Sequence, residues 1–258
     1  MNKIQYFDSH AHYDDKCFES DLDEVLTNCF ECGVTKIVDV GYNKETSIKA
    51  IELANKYDFV YATVGHHPEE VYSDTNLEYI YELGKKEKVV ALGEIGLDYH
   101  WDNDKVLQKK FFIEQIDIAN ELNLPIIIHN READMDILNI LKNEKKPKVD
   151  VVFHCFSSSG EIAKEVLKNG WYISLSGTVT FKNARNLHQI AYDVPLDRLF
   201  IETDCPYLTP EPFRGKRNDS SKVIYVCNKI AEIKGLENEI VAKQTYENAC
   251  RFYNIKEV

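Results

Sequence analysis

The chain has no long apolar run. No stretch approaches the roughly 20 residues that a membrane-spanning helix needs, and the N-terminal "MNKIQYFDSH" contains no apolar signal-peptide core. The cytoplasm is therefore the expected compartment and no membrane partner is expected. Blocks of consecutive basic residues are missing as well. With 31 Lys and Arg against 43 Asp and Glu, net charge −12, the chain offers no arm for tracking a nucleic acid duplex. Cysteine gives no disulfide framework, because the seven residues are odd in number and scattered through apolar segments. Cys29 and Cys32 suggest a redox pair, yet Leu22, Val25, Leu26 and Cys29 form one helical stripe ended by Gly33, which reads as packing. Without a low-complexity linker or a second composition regime, residues 1–258 read as a single domain with no obligate protein partner.

What is present is alternation. Short β-rich runs fall at 4–8, 36–40, 59–64, 88–92, 125–128, 149–153, 171–175 and 198–202. Helical spacing separates them: Phe112, Ile116 and Ala119 lie at i, i+4, i+7, and Ala163, Val166 and Leu167 precede Asn169-Gly170. Runs such as "KIVDV", "PIIIH" and "VDVVFH" are nearly continuously apolar, as parallel strands covered on both sides must be. Eight β/α alternations in 258 residues predict an α/β protein, a slightly irregular (β/α)8 TIM barrel, with the tail from about residue 219 supplying the last helices. A doubly wound open sheet is the competing arrangement. At this length a core forms without help from metal, so any metal present serves chemistry.

Residues i and i+2 of a strand project from one face, so in "YFDSHAH" the imidazoles of His10 and His12 point together and can grip one ion. Other metal-capable residues also follow strand runs: Glu94 after "VVALG", His129 after "PIII", His154 after "DVVF" and Asp204 after "LFIET". In a (β/α)8 barrel the C-terminal strand ends build the active site. Six unrelated burials of polar groups at such positions would be costly. His67 in "GHHP" ends the third strand run and is a candidate for touching substrate phosphate, with His66 the alternative inward residue. Tyr99 and Trp101 are candidate stacking surfaces for a base. Arg214, Lys216 and Arg217 in "FRGKRN" concentrate positive charge, and an arginine fork suits phosphate oxygens, although pairing with acidic neighbours is the equal alternative. Arg131 carries the same two readings. Cys155 and Cys205 adjoin ligand candidates and should face away, so no thiol nucleophile is expected.

"FDSHAH", "VGHHPEE", "GEIGLDY", "PIIIHNREA", "FHCFSSS", "SLSGTVTFKNA" and "ETDCPYLTPEPFRGKRN", in this order and nearly end to end, resemble the signatures of TatD-type metal-dependent deoxyribonucleases. The resemblance implies a metal-dependent hydrolase barrel. It further implies one divalent ion held by His10, His12, Glu94 and Asp204, and a second held by Glu94 with His129 and His154. It also implies Mg²⁺-supported 3′→5′ trimming of DNA, with His67 on the phosphate. One departure stands at "RGKRNDS", where Asp219 and Ser220 replace the Glu-Pro common in relatives after the asparagine.

Phosphodiester hydrolysis needs a nucleophilic water, neutralisation of phosphoryl charge and help for the departing alkoxide. Two cations about 3.5–4 Å apart supply all three. Asp204, and Glu94 as the bridging carboxylate, are the expected catalytic residues, Asp204 also orienting or deprotonating the water. Mixed imidazole and carboxylate donors suit Zn²⁺, Mn²⁺ or Fe²⁺, whereas Mg²⁺ prefers oxygen. The acidic chain fits a partner gripped only at its end: single-stranded DNA or a frayed 3′ end, held through few phosphates. Two alternatives remain. One is an ester hydrolase of the same superfamily, including a D-aminoacyl-tRNA deacylase. The other is a non-catalytic nucleic-acid or protein-binding module, which has no need of six metal-capable residues.

Overall fold

The computed structural model describes residues 4–72 and 75–256. In chain order its elements are β1 (Tyr6–Ala11), α1 (Leu22–Glu31), β2 (Val34–Val40), α2 (Lys44–Lys56), β3 (Val60–Val64), α3 (Glu78–Leu83), β4 (Val89–Asp98) and α4 (Lys105–Leu122). These are followed by β5 (Ile126–Arg131), α5 (Asp134–Asn139), β6 (Val151–Phe153), α6 (Gly160–Lys168), β7 (Tyr172–Leu175), α7 (Arg185–Asp193), β8 (Leu199–Ile201), α8 (Val223–Lys234) and α9 (Asn238–Phe252). The strands form one sheet in the order β1 to β8. Ala11 bridges in parallel to Cys205, just beyond β8, so the last strand returns to the first. The fold class is the (β/α)8 barrel read from the alternation, not the open sheet.

All eight strand runs exist, but three of them, β1, β4 and β5, are longer than expected at their C-terminal ends, β5 reaching Arg131 instead of stopping at Ile128. β1 continues through His10 to Ala11 instead of stopping at Asp8. β4 runs on to Asp98, because its ladder with β5 persists from Ile95 opposite Ile128 to Asp98 opposite Arg131. Glu94 consequently lies inside β4, and His129 inside β5, not beyond them.

The described residues fall into two compact units, one of the residues up to 39 together with those from 155 onward, the other within 40–154. In the first, Phe7, Phe200, Phe252 and Tyr253 form an aromatic core, Phe200 and Phe252 meeting edge to face at 5.2 Å between centroids. In the second, Leu92, Ile95 and Leu97 of β4 and Ile126, Ile127 and Ile128 of β5 are buried together with Phe112, Ile116 and Ala119, the stripe predicted for α4. Asp104 caps the start of α4 by accepting from Val106 and Leu107 N–H, and Asn123 ends it in the left-handed conformation. Among the described residues no helix is long and apolar enough to cross a membrane.

Candidate functional site

In the unit built from the two chain ends, His10 of β1 and His12, just beyond its end, turn their rings towards each other. Their Nε2 atoms are 3.1 Å apart, and Asp204 Oδ1 lies 3.7 Å from the first and 3.4 Å from the second. The loop after β8 is held to β1 by main-chain bonds: Asp204 N–H donates to His10 C=O (2.9 Å) and His12 N–H to Cys205 C=O (2.8 Å). Buried Asp8 braces the same loop, accepting from Thr203 N–H and from its hydroxyl. Burial pushes the Asp8 pKa up to about 7. Asn218, wholly buried, donates to the carbonyls of Thr203 and Tyr207 and so ties the loop from its other side. Asp204 caps no helix; the next helical turn begins only at Ser220. There Asp219 accepts from Ser221 N–H, and Ser220 exchanges hydrogen bonds with Tyr13 OH, so the departure from the family pattern still gives an ordered loop.

In the unit of residues 40–154, Glu94 Oε1 is approached by three imidazoles: His129 Nδ1 at 2.6 Å, His154 Nε2 at 2.6 Å and His67 Nε2 at 3.6 Å. His154 directly follows β6, and His67 caps the short helical turn Pro68–Glu70 beyond β3. Glu94 is only 5 % exposed. Both donor sets fit a divalent cation. Two facing imidazole nitrogens can share at most one proton, and a carboxylate oxygen completes each set. The candidate ligand atoms of His10, His12 and Asp204 all lie within 4.8 Å of one another, as do those of His67, Glu94 and His129.

Hydrogen bonding separates the roles of the histidines. Glu69 N–H donates to His67 Nδ1 (3.1 Å), and burial, aided by the nearby His129, lowers the His67 pKa to about 4. His67 is thus neutral with its proton on Nε2, which makes it a hydrogen-bond donor more than a metal ligand. His66 is turned elsewhere, its ring bonding Tyr79 OH and the Glu70 carbonyl. His129 sits between two carboxylates, Glu94 on Nδ1 and Asp98 Oδ2 on Nε2 at 2.8 Å. Burial alone would lower its pKa, but the bonds to Asp98 and Glu94 outweigh burial and raise it. Asp98, fully buried, is the carboxylate at this site that the sequence did not disclose. Its signal was the i, i+4 spacing from Glu94 along a strand whose length was underestimated.

The basic candidates diverge. Arg217 forms a two-pronged ion pair with Asp21 (2.9 and 2.6 Å) and its guanidinium lies 4.8 Å from the Phe18 ring centre, so the pairing alternative describes it. Arg214 stacks on Phe181 at 4.1 Å and is exposed. Tyr99 OH donates to Asp136 and its ring carries Lys105 at 4.4 Å, whereas Trp101 is 51 % exposed beside the Arg131 guanidinium at 5.7 Å. Cys205 is buried, with its thiol pKa raised well above the usual value by burial, and Cys155 contacts Ser176 Oγ; neither is placed as a nucleophile.

Comparison with known proteins places these residues in context. Residues 7–254 match the family described as TatD related DNase. The uncharacterized metal-dependent hydrolase YabD of Bacillus subtilis is 48% identical over 252 residues, spanning 96% of this chain and 99% of the relative. YcfH of Escherichia coli K12, another uncharacterized metal-dependent hydrolase, is 40% identical over 252 residues, 96% of this chain and 95% of the relative. Among solved structures, YJJV, a TatD homologue from Escherichia coli K12, superposes with a TM-score of 0.90 at 29% identity, covering 98% of this chain and 99% of its own.

Proposed function

Given that the chain belongs to the TatD family of metal-dependent hydrolases, we propose that it is a deoxyribonuclease that trims single-stranded or frayed DNA from the 3′ end. The observation that carries this reading is the meeting of three imidazoles at Glu94, one of them the neutral donor His67. Cation-binding groups beside an N–H donor make a place for an anionic oxygen, which a purely structural cluster does not need.

Two divalent ions, Mg²⁺, Mn²⁺ or Zn²⁺, are proposed: one with His10, His12 and Asp204, the other with Glu94, His129 and His154. When bound, such ions neutralise phosphoryl charge and acidify water. The chain supplies the rest. Asp204, held by its main-chain bond to His10 and 15 % exposed at its side chain, orients the attacking water and accepts its proton. His67 donates from Nε2 to a non-bridging phosphate oxygen, and Arg214 holds a neighbouring phosphate of the strand.

The test uses single-stranded DNA labelled at either end, incubated with metal-stripped protein and with protein restored by Mg²⁺, Mn²⁺ or Zn²⁺. Metal-dependent shortening from the 3′ end is expected. An aminoacyl ester is offered in parallel. Ester cleavage without DNA cleavage assigns the site to ester hydrolysis, and inertness towards both substrates supports a binding module.

A further inference from the structure

Asp98 has no place in the proposed metal sets, yet it is among the most tightly built carboxylates in its unit. Its Oδ2 lies 2.8 Å from His129 Nε2, and its Oδ1 accepts His100 N–H at 2.9 Å. Its main chain is clamped at both ends by the buried amide of Gln108: Asp98 N–H donates to Gln108 Oε1, and Gln108 Nε2 donates to Asp98 C=O, each at 2.9 Å. The Glu69 carboxyl lies against Asp98 as well, with the Trp101 indole beside it. Every oxygen of the Asp98 side chain therefore has a fixed partner, and rotation would break several bonds at once.

We propose that Asp98 is a positioning residue that pins the proton of His129 on Nε2, and so presents the Nδ1 lone pair, on the Glu94 side, as the ligand atom. The inference rests on the metal-site reading above. It follows from two facts. An ionised carboxylate can only accept, so the nitrogen facing it must carry hydrogen. Glu94 faces Nδ1 in the same way, at 2.6 Å, but Glu94 belongs to the proposed metal set and Asp98 does not. A cation beside Glu94 would take the place of the Nδ1 proton, leaving the ring one proton, which Asp98 keeps on Nε2, so that an outer carboxylate fixes both ring orientation and tautomer. Donor sets in which His129 binds through Nε2 are excluded by the same bond.

The informative variant is Asp98→Asn. With Oδ1 kept on the His100 N–H, the new amide NH₂ faces His129 Nε2, and donor meets donor unless the imidazole proton moves to Nδ1. Flipping the amide instead turns NH₂ towards the His100 N–H, a second donor clash. The substitution therefore drives His129 into the wrong tautomer, as a carboxylate-to-amide change does beside a catalytic histidine.

Two readouts are needed, neither of them turnover. The first is Zn²⁺ affinity by chelator competition, with ions counted per chain. In Asp98→Asn one ion is expected to weaken about 10–100-fold while the other keeps its affinity. The second is long-range ¹H–¹⁵N NMR of Zn²⁺-loaded wild type, with His129 assigned by loss of its signals in His129→Gln. Hydrogen on Nε2 with Nδ1 on the metal is expected. Zn²⁺ bound through Nε2 in the wild type, or wild-type affinity for both ions in a folded Asp98→Asn, overturns the role of Asp98 and leaves the function reading standing. Failure of wild type to bind Zn²⁺ overturns both. Should Asp98→Asn not fold, the wild-type spectrum alone decides.

Discussion

Gly96 of β4 lies directly opposite His129 of β5, and a Cβ placed on Gly96 would fall 1.9 Å from the His129 carbonyl oxygen. The strands approach this closely because position 96 has no side chain and adopts φ +150°, a conformation that L residues rarely take. Glu94 and Asp98 flank Gly96 by two residues on each side, and these are the two carboxylates that hold the nitrogens of His129. Gly96→Ala should therefore strain the backbone and push His129 away together. A loss of about 2–4 kcal/mol is expected, a Tm fall of roughly 5–15 °C in a chain of this size, with weakened divalent binding. Thermal unfolding with and without metal checks it; an unchanged Tm would show that β4 and β5 can separate at no cost.

That geometry also marks what the sequence could and could not disclose. His10 and His12 were legible because a period of two puts both on one face, and the apolar runs before His129 and His154 placed those residues at strand ends. Asp98 was not legible. Gly93 and Gly96 interrupt the apolar run, so β4 read as finished before Glu94, and a carboxylate four residues further along had no strand to sit on. The His67 and His66 choice was equally closed to sequence, since what decides it is the bond from Glu69 N–H to one ring and from Tyr79 OH to the other. Charge counting likewise could not tell that Asp21, nearly 200 residues away in the chain, occupies Arg217.

Glu94 is the carboxylate of the ion proposed with His129 and His154. Replacing it by Gln keeps shape and removes charge. Elemental analysis of Glu94→Gln after Zn²⁺ loading and desalting should therefore show about one ion per chain fewer than the wild type. Wild-type metal content in a folded Glu94→Gln would mean that the Glu94 carboxylate is not a ligand.

His67 provides a test of hydrogen-bond donation without metal loss. His67→Ala should lower kcat on a DNA substrate about 10²–10³-fold, the usual cost of deleting one donor from a site that stabilises developing negative charge. His67→Gln, which retains an N–H, should recover part of that loss, and Zn²⁺ affinity should change little in either. Because the His67 pKa is about 4, the group stays neutral across ordinary assay conditions. The pH profile of His67→Gln between pH 5 and 9 should therefore keep the wild-type limbs. A limb that disappears with the imidazole would mean that its protonation drives the chemistry.

Asp39 titrates in the opposite sense from an ordinary surface carboxylate. It is buried, and burial pushes its pKa from 3.8 up to about 7, although it accepts Tyr13 N–H at 2.7 Å. Between those values the folded chain binds a proton that the unfolded chain has released. The resulting stability is complete below about pH 4 and is lost as pH rises through about 7. In metal-free protein, Asp39→Asn should thus gain on the wild type as pH rises from 5 to 8, with each kcal/mol of difference appearing as about 2–4 °C in Tm. Parallel Tm curves for the two proteins over that range would show that Asp39 is ionised in the fold throughout.

Arg214 and Arg217 sit three residues apart in one loop, and their surroundings assign them opposite behaviour. The fork of Arg217 is filled by Asp21 and the Cys17 carbonyl, so Arg217→Ala should lower Tm and leave KM for single-stranded DNA unchanged. Arg214 is exposed and rests on Phe181, so Arg214→Ala should raise KM and leave Tm unchanged. Binding to a strand end through 2–4 phosphates gives a log–log salt slope of about −1.5 to −3 for single strands, and deleting one contact should reduce its magnitude by about 0.7. Measuring oligonucleotide affinity in EDTA from 50 to 300 mM salt reads this term apart from catalysis. A much steeper wild-type slope would mean that the strand runs over many more cations than this acidic chain gathers in one loop, and end-gripping would give way to binding along the length of the strand.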